Sequence, residues 1–442
     1  MALHVHTLVV NPWATDFKLY DEWMHPVGLY YLIAFLKKNG CDVSYYNCLS
    51  RASGSESKSN GTGNFPFISY SKPELYKGIR RYYKLYGQPE GSFAKYLLSL
   101  PEPNVIFIGS SMTYWVLGII ETVRIIKRIF PNIPIVIGGT SAILIPSFLT
   151  TSLPDIHLFK GSLFDQRAIT GSGIPCFSSM KVLNCHASLI PAFELLKAAN
   201  HGPALSSRGC PLRCSYCASR FLHNRYEARP APVVAEELGF LQARFGVKNF
   251  AWYDDALLYK PRQHFIPLMR ALSRAGITAS FHAPNGLHVR WLTQEALEAM
   301  RAGGFRTLRF GYESSSRAFS RDTNGKVRKK ELEKKTGLAL KTGFCGRDIG
   351  VYVMAGLAGQ SPKDVADEIE FVASLSVKVK PVFFSPVPKT PLFEKYSLRF
   401  PQLLETPLFH NDTFFITQLP GWDASAVQEI IDLAKWYNEK LE

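Results

Sequence analysis

The chain has 442 residues, 46% of them hydrophobic, and its 51 Lys and Arg against 36 Asp and Glu give a formal charge of +15. This composition excludes a disordered protein, and the length is too great for one ordinary domain and fits two or three. The most apolar runs, Val105–Ser111 and Ile135–Leu149, are too short or too interrupted to span a bilayer. The first residues lack the pattern of a signal peptide, so we expect a cytoplasmic protein with no membrane span.

Positive charge is concentrated in two stretches. Lys72–Lys95 interleaves cations with tyrosines, and Arg321–Lys341 is dense in lysine and arginine. Such an excess is typical of proteins that bind nucleic acid, anionic lipid or an anionic small substrate. We interpret the second stretch as a solvated helix face. The aromatic residues of the first would allow base stacking, so RNA contact stays a secondary interpretation.

The first part of the chain alternates strands with helices. A segment rich in Ser, Gly and Asn, Ala52–Gly63, predicts a flexible loop. The repetition favours an α/β domain with an open, doubly wound, Rossmann-like sheet over residues 1–160. The predicted strands are Thr7–Asn11, Asp42–Asn47, Val105–Gly109, Ile133–Ile137 and Asp155–Phe159, and the predicted helices are Pro26–Lys38 and Val116–Phe130.

A linker over residues 161–203 precedes a second alternating series. Six strand–helix repeats over residues 204–386 are too few for an eight-fold barrel and predict a partial (β/α)6 barrel of the TIM type. Residues 387–442 form a C-terminal extension that closes with an amphipathic helix, Asp423–Lys440. The predicted barrel strands are Leu205–Arg208, Asn249–Tyr253, Thr278–His282, Thr307–Tyr312, Ile349–Ala355 and Val382–Ser385, and the helices are Pro232–Phe245, Gln263–Ala275, Thr293–Ala302, Lys329–Thr342 and Pro362–Leu375.

Three cysteines lie within eight residues, at the spacing Cys-x3-Cys-x2-Cys: Cys210, Cys214 and Cys217. One tight loop therefore offers three thiolates. An iron–sulfur cluster usually takes four cysteines, so a three-cysteine loop indicates a cluster with one iron open to an exchangeable ligand. The pattern thus favours a site that binds a small molecule over one that only stores electrons.

Zinc is the alternative metal. A structural zinc site has four ligands, usually in two pairs, and His201 or His223 would have to complete the set. The chain has no second cysteine pair, which favours iron–sulfur. The other histidines show no ligand spacing. Five cysteines are expected to be buried free thiols: Cys41, Cys48, Cys176, Cys185 and Cys345.

The cysteine loop and its setting resemble the radical S-adenosylmethionine (radical SAM) superfamily. In that family the loop follows the first strand of a partial barrel, so the resemblance implies that Cys210, Cys214 and Cys217 hold a four-iron, four-sulfur cluster. It implies that the open iron chelates SAM and that Tyr216 borders the adenine. An electron from the cluster would then cleave SAM to methionine and a 5′-deoxyadenosyl radical.

Other strand ends match the same family. Asp254 and Asp255 end the second barrel strand, where the family places groups near the SAM amino end, although one of the two could instead cap a helix. The resemblance implies that Glu313 and Ser314, after the fourth strand, contact the ribose or methionine part. It also implies that Gly356, after the fifth strand, lies near the adenine. A surface salt bridge or a simple turn would explain these residues too.

The N-terminal domain resembles the cobalamin-binding domain of one radical SAM branch. The resemblance rests on residues 25–29, 109–114 and 137–140, each at or facing the carboxyl end of a strand, where doubly wound folds bind ligands. The Asp-x-His-x-x-Gly motif that supplies an axial histidine elsewhere is absent. Cobalamin would therefore be bound without histidine, or the domain would keep the fold without the cofactor. The residues implied to lie near cobalamin are Ser110, Met112, Gly138, Gly139 and Thr140.

These resemblances predict a radical SAM enzyme that transfers a methyl group, through cobalamin, to an unactivated carbon. The partners would be an electron donor such as flavodoxin or ferredoxin and a small-molecule, lipid or natural-product substrate that the sequence does not identify. One alternative is a cobalamin-type radical SAM enzyme that catalyses rearrangement, ring formation or oxidation. Another is a basic nucleic-acid-binding protein with a structural metal. A methylthiotransferase is disfavoured because the N-terminal domain has no second cysteine triplet.

Overall fold

The structure is a computed structural model that describes residues 5–52, 54–178, 180–182, 189–196, 201–314 and 327–441. It divides the chain into two compact units, and the first boundary lies within the predicted linker. Unit 1 contains Met1–Lys197, Val387–Lys389 and Lys395–His410. Unit 2 contains Ala198–Pro386, Thr390–Glu394 and Asn411–Glu442.

Unit 1 alternates strands with helices, as predicted. Its strands are β1 (His6–Asn11), β2 (Ala14–Asp16), β3 (Asp42–Asn47), β4 (Phe67–Ser69), β5 (Lys84–Tyr86), β6 (Val105–Ile108), β7 (Ile135–Gly138) and β8 (Ile156–Phe159). Its helices before the unit boundary are α1 (Val27–Lys38), α2 (Glu90–Leu98), α3 (Val116–Ile129), α4 (Thr140–Leu144), α5 (Pro146–Ser152) and α6 (Gln166–Thr170).

The main sheet of unit 1 has five parallel strands in the order β3-β1-β6-β7-β8. The central strands are apolar because both faces are covered, and Leu8, Ile106 and Ile135 have no exposed surface. When these five strands are numbered by their order in the chain, the sheet has the doubly wound order 2-1-3-4-5. The second strand lies on one side of β1, and the later strands are added on the other side. The direction of winding changes between β1 and β6, and such a fold binds ligands at the carboxyl ends of those strands.

A second, smaller sheet in unit 1 was not predicted. It is antiparallel, in the order β2-β5-β4, and each strand has three residues. All three residues of β4 are exposed, and Phe67 and Ile68 keep about half of their surface in solvent. Strands this short carry no periodicity that a sequence pattern could reveal.

Unit 2 contains the second series of strands and helices. Its strands are β9 (Gly202–Ala204), β10 (Ser207–Arg208), β11 (Glu227–Ala228), β12 (Asn249–Trp252), β13 (Ser280–His282), β14 (Leu287–His288), β15 (Phe305–Glu313), β16 (Ile349–Ala355) and β17 (Lys378–Phe383). The helices from here to the end of the chain are α7 (Ser219–Leu222), α8 (Ala231–Phe245), α9 (Phe265–Arg274), α10 (Gln294–Ala302), α11 (Lys329–Lys341), α12 (Pro362–Ser374), α13 (Pro391–Ser397), α14 (Gln402–Glu405), α15 (Asp412–Phe415) and α16 (Ala424–Glu439).

Six strands of unit 2 form one parallel sheet in the order β9-β12-β13-β15-β16-β17, and β14 adds to β15. Helices between consecutive strands make this the predicted partial (β/α)6 barrel. Both ends of the strand series differ from the prediction. Leu205–Arg208 was predicted as the end of the first strand, but that strand is Gly202–Ala204, and Ser207–Arg208 belongs to the separate strand β10. The last strand begins at Lys378 rather than at Val382, and its backbone includes Pro381.

The extension after residue 386 contributes to both units. α16 packs against β17, where the Asn438 side-chain amide pairs with the backbone of Val379: its oxygen accepts from the Val379 N–H at 2.8 Å and its nitrogen donates to the Val379 carbonyl at 2.8 Å. This contact satisfies backbone groups that an edge strand would otherwise expose. Among the helices that the structure describes, none is long and apolar enough to cross a membrane.

Candidate functional site

The cysteine loop follows β9 and is held at its base by the β10–β11 pair. Arg208 on β10 donates to the Glu227 carboxylate from Nε at 2.8 Å and from Nη2 at 2.5 Å. Gly209 has φ +74°, and a Cβ there would lie 2.4 Å from the Arg225 carbonyl oxygen. Glycine is therefore required at the start of the loop, both for its conformation and for the close approach of two backbones.

The loop presents its thiols among backbone donors. The Ser219 N–H donates to Cys217 Sγ at 3.5 Å. Burial, with a smaller contribution from the neighbouring Cys217 and Cys214, raises the pKa of the Cys210 thiol to about 11, against a backbone hydrogen bond from Leu212. A cation bound among the three would offset this cost, because thiolates are the form that ligates metals. The donor set thus fits an iron–sulfur cluster.

In the part of the chain that the structure describes, no three or more His, Cys, Asp and Glu side chains are arranged to hold a metal ion, the cysteine loop included. None of the described cysteines forms a disulfide. Cys41 and Cys48 are buried, as predicted, and Cys176 is partly exposed. The prediction of a buried Cys345 is wrong, because its side chain is exposed, and Cys185 lies outside the described residues.

The two predicted aspartates occupy different environments. Asp254 is buried, and its carboxylate accepts hydrogen bonds from the Ser206 N–H at 3.0 Å and from the Ser206 and Ser207 hydroxyls at 2.6 Å each. Asp255 is exposed and accepts from the Ser219 hydroxyl at 2.6 Å. Asp254 therefore fastens the start of the cysteine loop to the end of β12, and Asp255 is the one of the pair that faces solvent.

The Asp254 network extends to a histidine that the sequence did not reveal. His264 Nε2 lies 2.9 Å from the Ser206 hydroxyl oxygen, and it donates, because the hydroxyl hydrogen is given to Asp254. Burial lowers the pKa of His264 to about 4, which keeps the ring neutral. Burial also raises the pKa of Asp254 to about 6, against the hydrogen bonds from both serines. In the sequence, this network could have been suspected only from the pair Ser206 and Ser207, which directly precedes the cysteine loop.

Tyr216 and Glu313 are brought close together, although 96 residues separate them. Tyr216 of the cysteine loop is partly exposed, and desolvation of its hydroxyl, followed by the Glu313 charge, raises its pKa well above the ordinary value. Glu313 ends β15 with φ +66°, beside a register shift against β16. A left-handed glutamate costs backbone energy and is a feature that clusters at functional sites. These two predicted residues thus share one site at the carboxyl ends of the barrel strands.

The other predicted residues of the barrel have a packing role in the structure. Ser314 is buried, and its N–H donates to the Tyr312 carbonyl at 2.9 Å. Gly356 has φ +92°, and a Cβ there would lie 2.8 Å from Ile416 Cδ1. Both positions are therefore fixed by backbone conformation and by neighbours, and their proximity to SAM stays a prediction.

In unit 1 the predicted cobalamin residues lie together at the carboxyl ends of β6 and β7. The Ser110 hydroxyl donates to the Gly138 carbonyl at 2.7 Å, and the Thr140 N–H donates to the Ser110 carbonyl at 3.1 Å. Gly139 has φ +96° and is exposed, and Met112 keeps 49% of its surface in solvent. The loops after β6 and β7 are therefore hydrogen-bonded to each other and form an exposed edge, here called the cobalamin edge, beside the point where the winding direction changes. Most of its residues are small, so a flat ligand such as a corrin could approach the backbone closely.

The short loop between β1 and β2 consists of Pro12 and Trp13 and contains no histidine. Trp13 is buried, and its Nε1 donates to the Gln88 carbonyl at 2.6 Å. A Cβ at Gly118 of α3 would lie 2.1 Å from the Trp13 carbonyl oxygen. This loop is therefore fixed by packing.

Comparison with protein families identifies the barrel. The model of the radical SAM superfamily matches residues 205–372. This region is a radical SAM domain. The matched residues include the cysteine loop, β12, β15 and β16, and so every predicted SAM-site residue of unit 2.

Two curated relatives match part of the chain. An uncharacterised methyltransferase of Pyrococcus horikoshii is 24% identical over 214 residues, 46% of this chain and 45% of that protein. The bacteriochlorophyllide d C-12(1)-methyltransferase of Chlorobaculum tepidum is 24% identical over 202 residues, 44% of this chain and 42% of that protein. The match thus spans less than half the length of either relative.

Solved structures share the whole fold. The radical SAM methyltransferase TsrM from Kitasatospora setae, solved with tryptophan and a SAM analogue, superposes with a TM-score of 0.68 at 14% identity, over 97% of this chain and 88% of TsrM. The cobalamin-dependent SAM radical enzyme OxsB superposes with a TM-score of 0.61 at 12% identity, over 99% of this chain and 62% of OxsB. The predicted fold class, a doubly wound α/β domain followed by a partial barrel, is confirmed.

The radical SAM domain also contains a buried ion pair that was not predicted. Arg229 lies just before α8 and Glu237 lies within it, and their side chains are 0% and 2% exposed. The Arg229 guanidinium donates hydrogen bonds to both oxygens of the Glu237 carboxylate. Arg229 Nη1 also donates to the Leu205 carbonyl at 2.8 Å, and the backbone N–H of Arg229 donates to the Ser206 carbonyl at 2.8 Å. The pair therefore anchors the strand end that leads into the cysteine loop.

Proposed function

We propose that this chain is a radical SAM enzyme that transfers a methyl group, with the help of cobalamin, to an unactivated carbon of a small molecule. The observation that carries the proposal is the position of the cysteine loop. It follows the first barrel strand and brings Tyr216 beside Glu313, which ends the fourth strand. The cysteine loop thus places its three thiols near a partly exposed phenol and a carboxylate, which is an arrangement suited to a chelated amino acid and an adenine.

Cys210, Cys214 and Cys217 would hold the cluster. When bound, the cluster supplies one electron, taken from a reduced donor of the flavodoxin or ferredoxin kind, which cleaves the sulfonium carbon–sulfur bond of SAM. Glu313 and Asp255 would accept hydrogen bonds from the SAM amino group or ribose, and Tyr216 would border the adenine. Asp254 would position the cysteine loop rather than contact SAM, because its carboxylate oxygens already accept hydrogen bonds from Ser206 and Ser207.

Cobalamin is supported by unit 1. The edge formed by Ser110, Met112 and Gly138 to Thr140 lies beside the point where the winding direction changes, which is the ligand position of doubly wound sheets. When bound there, cobalamin would supply the methyl group. Methyl transfer is further supported by the names of both curated relatives and by the TsrM structure that holds cobalamin and a [4Fe-4S] cluster.

The cluster assignment can be tested by anaerobic reconstitution. The wild-type protein should bind about four irons and form 5′-deoxyadenosine from SAM under a strong reductant. The triple variant Cys210→Ala, Cys214→Ala, Cys217→Ala should lose both. Cys345→Ala, which removes an exposed cysteine, is the matched control and should retain both. Undiminished 5′-deoxyadenosine from the triple variant, or stoichiometric zinc without iron, would refute the assignment.

Methyl transfer needs a separate experiment. Protein produced with an ample supply of cobalamin should retain it, and SAM labelled at the methyl carbon should pass the label to a small-molecule product. Label recovered only in methionine, while cobalamin is retained, would instead support the alternative of rearrangement, ring formation or oxidation. Failure to retain cobalamin would remove the main support for methyl transfer but would leave the SAM cleavage proposal intact.

A further inference from the structure

The end of the cysteine loop leads directly into α7. Ser219 is the first residue of this helix and follows Cys217 by two positions. The helix begins without a side-chain cap, and the Ser219 hydroxyl donates to Asp255 Oδ2 at 2.6 Å. This hydroxyl therefore ties the end of the loop to the residues that follow β12.

The start of the loop is tied to the same place. Asp254 accepts three hydrogen bonds there, from the Ser206 N–H and from the hydroxyls of Ser206 and Ser207. Asp254 and Asp255 are neighbours just after β12. Their carboxylates thus hold opposite ends of the cysteine loop, and one short stretch of backbone fixes both.

Ser219 also contacts a proposed cluster ligand. Its backbone N–H donates to Cys217 Sγ at 3.5 Å, and the residue is only 8% exposed. One buried residue therefore holds Asp255 with its side chain and Cys217 with its backbone. Hydrogen bonds to the ligating sulfurs are among the features that set the reduction potential of an iron–sulfur cluster. The position of Ser219 should therefore affect the cluster as well as the loop.

Asp255 keeps one carboxylate oxygen for another group. Oδ2 accepts from Ser219, whereas Oδ1 accepts no hydrogen bond from the part of the chain that the structure describes. The side chain is exposed. The proposed function assigns the amino group or the ribose of SAM to this carboxylate. Such a ligand would bind the same carboxylate that positions Ser219.

A loop that holds three thiolates benefits from being ordered in advance. The thiolates repel one another before a cluster binds, and ordering a free loop costs conformational entropy. Hydrogen bonds at both ends place part of this cost in the folding of the protein, so the loop receives the cluster in its final shape. A tie at the start alone would leave the segment around Cys217 to be ordered by the cluster.

We propose that Ser219 is a positioning residue for the iron–sulfur cluster, because it fixes the end of the cysteine loop to Asp255 and donates to Cys217. The inference rests on the proposed function for the identity of the cluster. Loss of the hydroxyl should release the end of the loop and make the buried Cys214 thiol accessible. It should also weaken the hydrogen bond to Cys217 and so shift the reduction potential of the cluster to a more negative value.

The first measurement is pulsed alkylation of the metal-free protein with iodoacetamide, read at each cysteine by mass spectrometry. Cys214 is 8% exposed, and the exposed Cys345 serves as the internal reference. Ser219→Ala should raise the alkylation rate of Cys214 relative to Cys345 at least about tenfold, because a hydrogen bond to a charged acceptor shifts a local opening equilibrium by that much. Ser219→Thr keeps the hydroxyl and should react like the wild type.

The controls separate loop opening from loss of the fold. Ser425→Ala is the matched variant, since it removes a hydroxyl that donates to Glu429 on an exposed helix face, and it should not change the rate. Alanine is a better helix former than serine, so Ser219→Ala does not weaken α7 itself, and its unfolding midpoint in urea should stay near the wild-type value. Asp255→Ala removes the same hydrogen bond from the other side and should also accelerate alkylation. Wild-type rates at Cys214 in both alanine variants would overturn the inference.

The second measurement is the reduction potential of the cluster in the reconstituted protein. Ser219→Ala should make it more negative, and Ser425→Ala should leave it unchanged. Faster alkylation with an unchanged potential would show that Ser219 only orders the loop, and the positioning role would be refuted while the proposed function stands. If the wild-type protein binds no iron, the proposed function fails, and the role of Ser219 towards the cluster fails with it.

Discussion

The buried pair of Arg229 and Glu237 gives the most direct energetic prediction. Glu237→Leu leaves a guanidinium without its counter-charge, and Arg229→Met leaves a carboxylate without its partner. Both side chains are almost completely buried, so water cannot replace the lost partner. Removing one member of such a pair typically costs about 3–5 kcal/mol of unfolding free energy. We expect each single variant to fall in that range.

The double variant Arg229→Met, Glu237→Leu should be much less damaging than the sum of the single ones. It removes both charges, and replacing a buried pair by apolar residues is often nearly neutral. One cost remains, because the Leu205 carbonyl loses the donor at 2.8 Å. A buried acceptor without a partner costs about 1–3 kcal/mol. That range is the expected destabilisation of the double variant.

The assay is urea unfolding of the four proteins, arranged as a double-mutant cycle. The exposed pair of Arg262 and Glu295 serves as a control cycle, and its coupling should be far smaller. Iron content after reconstitution should fall with the single Arg229 variant, because Arg229 also holds the backbone before the cysteine loop. Additive effects in the buried cycle, or single variants that cost less than about 1 kcal/mol, would refute the reasoning.

Three further predictions concern backbone, site and pH. Gly209→Ala should lower the iron content and reduce the unfolding free energy more than Gly246→Ala does. Both glycines have φ near +70°, which costs alanine about 1 kcal/mol, but only a Cβ at Gly209 would clash with a carbonyl oxygen. Equal unfolding midpoints for the two variants would contradict this prediction. Glu313→Gly should relieve backbone strain, so the unfolding midpoint should hold or rise while SAM binding weakens at least about tenfold; unchanged SAM affinity would exclude Glu313 from the site. His410 has its pKa lowered to about 4 by burial, so below its ordinary value of 6.5 the unfolded chain takes up the proton. Stability should therefore fall between pH 6.5 and 4, by about 3 kcal/mol from this group, and His410→Gln should reduce that loss in thermal melts; an equally steep loss would contradict it.

Burial makes His410 acid-sensitive, against the hydrogen bond to the Leu403 carbonyl, and its two hydrogen bonds in unit 1 fix the tautomer of the neutral ring. Nε2 lies 2.9 Å from the Leu403 carbonyl and can only donate, so Nδ1 accepts from the Thr113 hydroxyl at 2.9 Å. A protonated ring would turn that acceptor into a donor. Thr113 directly follows Met112 in the proposed cobalamin edge, so low pH should disturb this edge first.

Elements with a strong local signal could be predicted from the sequence. Parallel strands such as Asp42–Asn47 and Ile349–Ala355 match the structure at both ends, because short runs rich in β-branched and aromatic residues define them. The cysteine spacing likewise identified the loop, since three thiols in eight residues have few other uses. Superfamily and fold followed from these features together.

Features that depend on tertiary position could not be predicted. Pro381 interrupts the pattern of the last strand, so the strand was predicted to start after it. β17 pairs with β16 on one side, and a side chain of α16 bonds its other side, so a proline without an N–H is tolerated there. The separate surroundings of Asp254 and Asp255 were also invisible, because adjacent residues on a strand end point in opposite directions.

Because the C-terminal extension is divided between the two units, neither unit can be produced by a simple truncation of the chain. Neither unit is one continuous stretch, since unit 1 takes back Lys395–His410 after the barrel strands and unit 2 takes back Asn411–Glu442. No single cut yields two complete pieces. A truncation after Pro386 would remove part of both folds, and a front domain exchanged between relatives would have to bring its own copy of the returning segment. Production of either unit alone would therefore require its returning segment to be joined to its main stretch.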